Sequence, residues 1–308
     1  MTARVFIDGA AGTTGLEIAE RLAGRADYTL LVLDEDRRKD TAARRDAMAV
    51  ADFTILCLPD DAAREAAALA AGTATRIVDA SSAHRTDPDW SYGFAEMAHG
   101  QRGRIAGAAR VSNPGCYPTG VLAVLAPLVA GGLLPGDWPY AVHAVSGFSG
   151  GGKELIARFA EDGTIAWRGY ALAGGHKHLA EMRVHAGLTQ DPMFAPAVVP
   201  AYRGMAVELP LPLPAMPGAA PVRDIVDALA AHYRDAPLVS IETTVPDELL
   251  LRSDSPPTDR LALHLVPDAG GRLRAVALLD NLGKGASGAA VQNLNLMAGV
   301  DELAGLRL

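Results

Sequence analysis

Short apolar runs and helix-period segments alternate through the first third of the chain. Arg4–Asp8 reads as a strand, Leu16–Ala23 as a helix with Leu16, Ala19, Leu22 and Ala23 on one face, and Tyr28–Asp34 as a second strand. Phe53–Leu58 is a continuous apolar run stopped by Pro59, with Asp60 or Asp61 placed to cap a helix, and Arg76–Asp79 follows as a further strand. Strands without polar alternation, separated by helices, predict a parallel sheet covered on both faces. After about Cys116 the pattern changes. Strand-like runs at Tyr140–Ser146, Ala197–Pro200, Met205–Leu211, Leu261–Val266 and Leu273–Asp280 lie closer together, which predicts a mixed, largely antiparallel sheet. Leu209–Pro221 reads as a loop or edge because proline cannot serve in a central strand. Helical spacing returns in Ser287–Leu296, with Ala290, Val291, Leu294 and Met297 in phase to pack on the first domain.

Composition narrows the possibilities. With 308 residues and 49% hydrophobic positions, the chain can fill two cores of roughly 100–200 residues each. A balance of 28 basic against 36 acidic residues, net −8, gives no electrostatic footprint for nucleic acid or an anionic membrane surface. The N-terminus enters Val5-Phe6-Ile7 without the pattern of a signal peptide, and prolines and glycines interrupt the uncharged stretch Val111–Gly136. Two cysteines, Cys57 and Cys116, make neither a disulfide framework nor a metal clip. A soluble cytoplasmic protein is the expectation.

Gly9-Ala10-Ala11-Gly12-Thr13-Thr14-Gly15 lies between the first strand and first helix, where free N–H groups can meet a phosphate. Its spacing is GxxGxxG instead of GxGxxG, so the strand before and helix after carry most of the argument for a dinucleotide. Asp34, nineteen residues after Gly15, could bind a ribose 2′-hydroxyl and favours NAD. Arg37, Arg38 and Lys39 follow at once and match a 2′-phosphate, favouring NADP, unless the run is only a solvated loop.

Val111-Ser112-Asn113-Pro114-Gly115-Cys116-Tyr117-Pro118-Thr119-Gly120 sets Cys116 at a loop-to-helix junction, since Val121, Leu122, Leu125 and Leu128 follow in helical phase. There the helix dipole favours a thiolate, and neighbouring N–H groups can hold an oxyanion. Cys57, inside an apolar strand, reads as inert core. The base that a thiol needs is most readily found in Gly174-Gly175-His176-Lys177-His178-Leu179-Ala180-Glu181, another apparent helix start. Residues two apart do not share a helix face, so one histidine should point at the thiol unless the first lies in the pre-helical turn. A helix N-terminus would also keep such a histidine neutral. No zinc-type spacing occurs, so no metal is expected. Ser146–Lys153 is glycine-rich and ends in a cation, but it is not a Walker loop.

Taken together, SNPGCYPTG, HKHLAEM and the glycine-rich start resemble the N-acetyl-gamma-glutamyl-phosphate reductase family in its shorter form, within the semialdehyde dehydrogenase superfamily. Leu56-Cys-Leu-Pro-Asp-Asp, Val78–Arg85, Tyr92-Gly-Phe, SGFSGGGK and Leu279–Asn295 extend the resemblance over nearly the whole chain. It implies an α/β protein: a Rossmann-type NADP-binding domain over residues 1–115 and 285–308, and an α+β catalytic and oligomerisation domain over 116–284. The resemblance maps the nucleophile onto Cys116 and the base onto His176. It implies Asn113, His178 and Glu181 near substrate, while Arg85, Arg110 and Lys153 are candidate clamps for the substrate's anionic groups. On the same grounds Pro59, Ser81, Gly147, Asn281 and Gly285 join the glycine loop, Asp34, Arg37 and Arg38 around the cofactor. Ala180 departs from a proline frequent in the longer forms.

The implied reaction is reduction of an acyl phosphate through a cysteine thioester, in arginine biosynthesis, by a homodimer or homotetramer. Within the same class, aspartyl phosphate or a carrier-linked aminoadipyl phosphate are alternative substrates. A cysteine hydrolase or acyltransferase would leave the glycine loop unexplained, and a non-catalytic NADP sensor would leave the thiol and its base unexplained.

Overall fold

Residues 2–308 are described in the computed structural model, where the chain divides into two units. One runs to Ala95 and takes in Gly100–Pro114 and Ala286–Leu306; the other comprises Glu96–His99, Gly115–Gly285 and Arg307–Leu308.

The first unit holds strands β1 (Ala3–Asp8), β2 (Tyr28–Leu31), β3 (Phe53–Leu56), β4 (Arg76–Asp79), β5 (Ser91–Tyr92) and β6 (Arg110–Ser112). They form one sheet in the order β2-β1-β3-β4-β6-β5. Every pairing is parallel, Val5 lying opposite both Leu30 and Phe53. Helices α1 (Thr13–Leu22), α2 (Thr41–Val50), α3 (Asp60–Leu69) and α4 (Gln101–Gly107) come between the strands. The strands are apolar on both faces because both are covered. Val5, Ile7, Ile55 and Val78 pack with Ile18 and Leu22 of α1. Phe6, Leu56 and Ile77 point the other way, against Ala47 and Met48 of α2 and Ala63 and Ala66 of α3. Each fully buried large side chain contributes about 1.5–3 kcal/mol.

Two sequence expectations change here. Strand β2 stops at Leu31, short of Asp34, because the Asp34 carbonyl accepts from the N–H groups of Arg37 and Arg38 in a turn, at 3.0 and 2.9 Å. Neither Asp60 nor Asp61 caps α3. Pro59 is the N-cap, and the Asp60 carboxylate instead accepts from the main-chain N–H and hydroxyl of Ser82, both at 2.9 Å.

The second unit opens with helix α5 (Cys116–Ala130) and continues through β7 (Ala141–Gly147), α6 (Gly152–Glu161), β8 (Arg168–Gly169), α7 (Leu179–Ala186), β9 (Met193–Val199) and β10 (Met205–Leu211). Helix α8 (Val222–His232) and strands β11 (Val239–Glu242), β12 (Leu261–Pro267) and β13 (Leu273–Leu279) complete it. The sheet order is β11-β12-β13-β10-β7-β9-β8, with β11–β12 and β7–β9 parallel and the other pairs antiparallel. Helix α5 is apolar nearly all round and buried from Tyr117 to Ala126, as a central helix must be.

Leu209–Leu211 continues β10, and Pro210, in the segment expected to be a loop or edge, lies where the strand has one neighbour. β10 pairs with β7 only over Met205–Glu208, so at Pro210 it has β13 alone beside it. A missing N–H is tolerated where one side of a strand is open. Gly283–Ser287 forms a π-helical turn, and α9 (Gly288–Ala298) places Ala290, Val291, Leu294 and Met297 in the first unit's core.

Candidate active site

In the first unit, a cavity of about 410 Å³ is lined by Gly9–Gly12, Val32, Leu33, Glu35, Arg38 and Lys39. Its floor depends on Gly9, whose φ of +91° is open to glycine and whose missing Cβ would stand 2.3 Å from the Cys57 carbonyl oxygen. Thr13, Thr14 and Gly15 form the first turn of α1, directly after the lining residues, and their main-chain N–H groups have no acceptor within the helix. Such a bare-backbone cradle fits a dinucleotide pyrophosphate.

Arg38 lines this cavity and pairs with Glu35 at 2.9 Å, whereas Asp34 and Arg37 are exposed and do not line it. Cations in the lining suit a 2′-phosphate. Cys57 also lines the cavity, and burial, reinforced by Asp79 and Asp8, pushes its thiol up to about 12. Pro59 is exposed at the start of α3, and Ser81 donates through its hydroxyl to the buried Asp79 carboxylate at 2.8 Å.

The second unit contains a cavity of about 380 Å³ whose lining includes Cys116, Gly147, Tyr170, His176, Lys177 and His178. Cys116 is the first residue of α5, with Gly115 as N-cap. Buried Glu181, in the first turn of α7, accepts the Gly115 N–H at 2.7 Å and so fixes the entry to the helix. A bond of this kind to a carboxylate is worth about 1.5–3 kcal/mol. Gly285, in the π-helical turn, packs directly on Cys116. A Cβ there would lie 2.7 Å from the Cys116 Cβ.

Both histidines reach this cavity because α7 begins only at Leu179, leaving His176 in the preceding turn and His178 at the cap. Their ring centroids are 4.8 Å apart. The His176 imidazole is lowered to about 4, first by burial and then by the adjacent Lys177 charge. The neutrality expected of a helix N-terminus is therefore achieved by a different cause. At neutral pH this ring is an uncharged imidazole in the cavity that Cys116 also lines.

Arg158 on α6, Arg168 on β8 and Lys177 also line the cavity, opposed by Glu154. The Arg168 guanidinium lies 4.7 Å over the Tyr170 ring. Sequence reasoning missed these cations. Arg158 was findable, since it lies five residues beyond Lys153 on the same helix and in phase with Glu154 and Leu155. Lys153 itself is exposed and does not line the cavity.

Asn113, Arg85 and Arg110 belong to the first unit. Asn113 donates to the Ala286 carbonyl at 2.9 Å and accepts from Asn293 at 3.0 Å. The buried Arg85 donates to the Asn113 carbonyl at 2.9 Å, and exposed Arg110 lies 5.7 Å over the Trp90 ring. Asn281, in the second unit, spends its amide on structure, accepting from Gly204 N–H and donating to Ser149, both at 2.9 Å. Among the described residues, no group of three His, Cys, Asp or Glu is placed to hold a metal, and no helix is long and apolar enough to cross a membrane.

Comparison with known proteins places these sites in context. Residues 4–104 match the semialdehyde dehydrogenase, NAD binding domain, and residues 116–281 the semialdehyde dehydrogenase, dimerisation domain. The N-acetyl-gamma-glutamyl-phosphate reductase of Burkholderia lata is 47% identical over 308 residues, covering 97% of this chain and 98% of the relative. The N-acetyl-gamma-glutamyl-phosphate reductase 2 of Pseudomonas putida is 47% identical, covering 96% of each. The crystal structure of aspartate semialdehyde dehydrogenase with NADP from Candida albicans has a TM-score of 0.67 at 14% identity, covering 96% of this chain and 98% of that one, a likeness of fold alone. With two family domains in succession and near full-length identity of this order, the chain belongs to the N-acetyl-gamma-glutamyl-phosphate reductases of the semialdehyde dehydrogenase family.

Proposed function

We propose that this chain catalyses the NADPH-dependent reduction of N-acetyl-gamma-glutamyl phosphate to N-acetylglutamate 5-semialdehyde and phosphate, a step of arginine biosynthesis. The observation that carries the chemistry is Cys116 at a helix start, in a cavity shared with a neutral histidine and three cations. The substrate identity rests on the named relatives.

The Cys116 sulfur attacks the acyl carbon and displaces phosphate, leaving a thioester. Main-chain N–H groups at the start of α5 hold the developing oxyanion, and His176 handles the proton at the sulfur and at product release. Arg158, Arg168 and Lys177 match a substrate bearing phosphate and carboxylate charge. Gly9–Gly12 would hold the cofactor's pyrophosphate and Arg38 and Lys39 its 2′-phosphate; the chemistry NADPH would supply when bound is the hydride for reduction of the acyl group. The first unit serves the cofactor, and the second serves catalysis and self-association. A cytoplasmic homo-oligomer, dimer or tetramer, fits the dimerisation-domain match.

The test is phosphate-dependent reduction of NADP with N-acetylglutamate semialdehyde, run beside aspartate semialdehyde. Turnover should favour the acetylated substrate and fall at least about 10³-fold in Cys116→Ser. A preference for aspartate semialdehyde would reject the substrate; full activity in Cys116→Ser would reject the mechanism.

A further inference from the structure

A line of hydrogen bonds runs through the His176 ring and terminates on main chain at both ends. At one end, the Tyr117 hydroxyl donates to the Ala197 carbonyl at 3.2 Å. A carbonyl oxygen only accepts, so this contact uses the single hydrogen of Tyr117. The Tyr117 oxygen is then an acceptor, and the Tyr170 hydroxyl donates to it at 3.3 Å. Tyr170 has thereby used its own hydrogen, so its contact with His176 Nε2, also at 3.3 Å, requires the hydrogen on the ring nitrogen. At the other end, the His178 main-chain N–H donates to His176 Nδ1 at 3.2 Å, which requires a bare lone pair there. The two ends demand the same state of the ring.

We propose that Tyr170, supported by Tyr117, is a positioning residue that holds His176 as the neutral tautomer with its hydrogen on Nε2. Each link in the chain supports this. Burial raises both phenols above their ordinary value, so both hydroxyls keep the hydrogen they donate. A second proton on His176 would go to Nδ1 and set two donors against each other, in line with the ring's lowered value. The ring faces Cys116 and Tyr117 from α5, Tyr170 from the segment after β8, and Lys177 and His178 from its own turn. Glu154, Arg158 and Arg168 line the same cavity.

The resting protein therefore carries no thiolate–imidazolium pair through His176. For Nε2 to accept the thiol proton, the ring must first exchange to the tautomer with its hydrogen on Nδ1, giving up the His178 N–H bond, and the Tyr170 hydroxyl must turn with it. That makes Tyr170 a residue through which the timing of proton transfer is set, and this consequence rests on the reaction proposed above. The tautomer itself does not.

The experiment uses the full chain labelled with 15N-histidine, without substrate, the His176 signals being assigned with His176→Asn. At pH 7, Nε2 should be protonated and Nδ1 bare. In Tyr170→Phe the two ring-nitrogen signals should move toward each other as tautomers exchange, and kcat should fall about 10-fold with KM for the acyl substrate changed less than about 2-fold. Tyr117→Phe should move the same signals by a smaller amount, and it decides the matter if Tyr170→Phe does not fold. A wild-type ring with hydrogen on Nδ1, a doubly protonated ring at pH 7, or variant signals identical to wild type would overturn the proposal. Because the spectrum is read without turnover, its failure is distinct from failure of the reductase reading.

Discussion

The dinucleotide cleft and the cysteine cavity have similar volumes, about 410 and 380 Å³, yet the anion binding proposed for each rests on different means. The cleft is a backbone device: one short run of chain, Gly9–Gly12, lines it with side chains no larger than a methyl group, and with none at Gly9, where a Cβ would meet the Cys57 carbonyl. The cavity is a side-chain device. Cys116, Arg158, Arg168 and His176 arrive from four separate segments, and each brings a functional group that backbone cannot replace. A backbone site should be harmed by adding atoms and a side-chain site by removing them.

The sharpest break of this contrast is in the cavity. His176→Asn should lower kcat by about 10²–10⁴, read by steady-state assay at saturating substrates. The same ring gives a pH signature with a definite sign. Folded His176 binds its proton only at about 4, against 6.5 for an ordinary histidine. The unfolded chain thus binds more protons between those values, so this group's contribution to stability is full above about pH 6.5 and is lost as pH falls toward 4. Urea melts of wild type and His176→Asn across that window should diverge, the variant losing less.

Next in size is Lys284, whose ammonium meets Glu96 at 2.8 Å with both side chains at or below 2% exposure. Lys284→Met leaves a carboxylate buried without that ammonium and should destabilise by about 3–5 kcal/mol in urea unfolding. In the cleft the opposite kind of change should hurt. Gly9→Ala adds one carbon against the Cys57 carbonyl and forces a non-glycine residue to positive φ, a strain of about 1–2 kcal/mol, with KM for NADP rising about 10-fold. The smallest effect is Arg38→Ala, a side-chain removal from the backbone site. Since Lys39 shares the lining and Glu35 already engages Arg38, the preference for NADP over NAD should fall only about 3–10-fold in the ratio of kcat/KM.

The same contrast governs what could be read from sequence. Gly9–Gly15, between a strand and a helix, is local, so its spacing carries its geometry. Cys116 at the start of α5 was legible for the same reason, because the apolar phase from Val121 marks the helix and hence its end. Arg168 and Tyr170 were not, because nothing local tells that β8 and the loop after it turn toward α5 and α6. Boundaries moved where a side chain or carbonyl found a nonlocal use. Asp60 bonds Ser82 instead of capping its helix, and Pro210 is tolerated because β7 pairs no further than Glu208. The four residues Glu96–His99 join the second unit through the Glu96 carboxylate and main chain, which Lys284 and His232 contact at 2.8 and 2.9 Å, and composition gives no sign of it.

Helix α9 has a consequence for the way the protein is made. Tyr28 donates to Asn295 at 3.1 Å across 267 residues, and Ala290, Val291, Leu294 and Met297 close a core begun by Val5, Ile7 and Ile18. During synthesis the first sheet leaves the ribosome with the apolar face under α1 only partly covered, and it stays so until α9 emerges. Contacts this distant are slow to form, and exposed apolar surface is prone to wrong association in the interval. An early part of the chain is thus completed by a much later one, and chains released before α9 carry an open core that invites chaperones or aggregation.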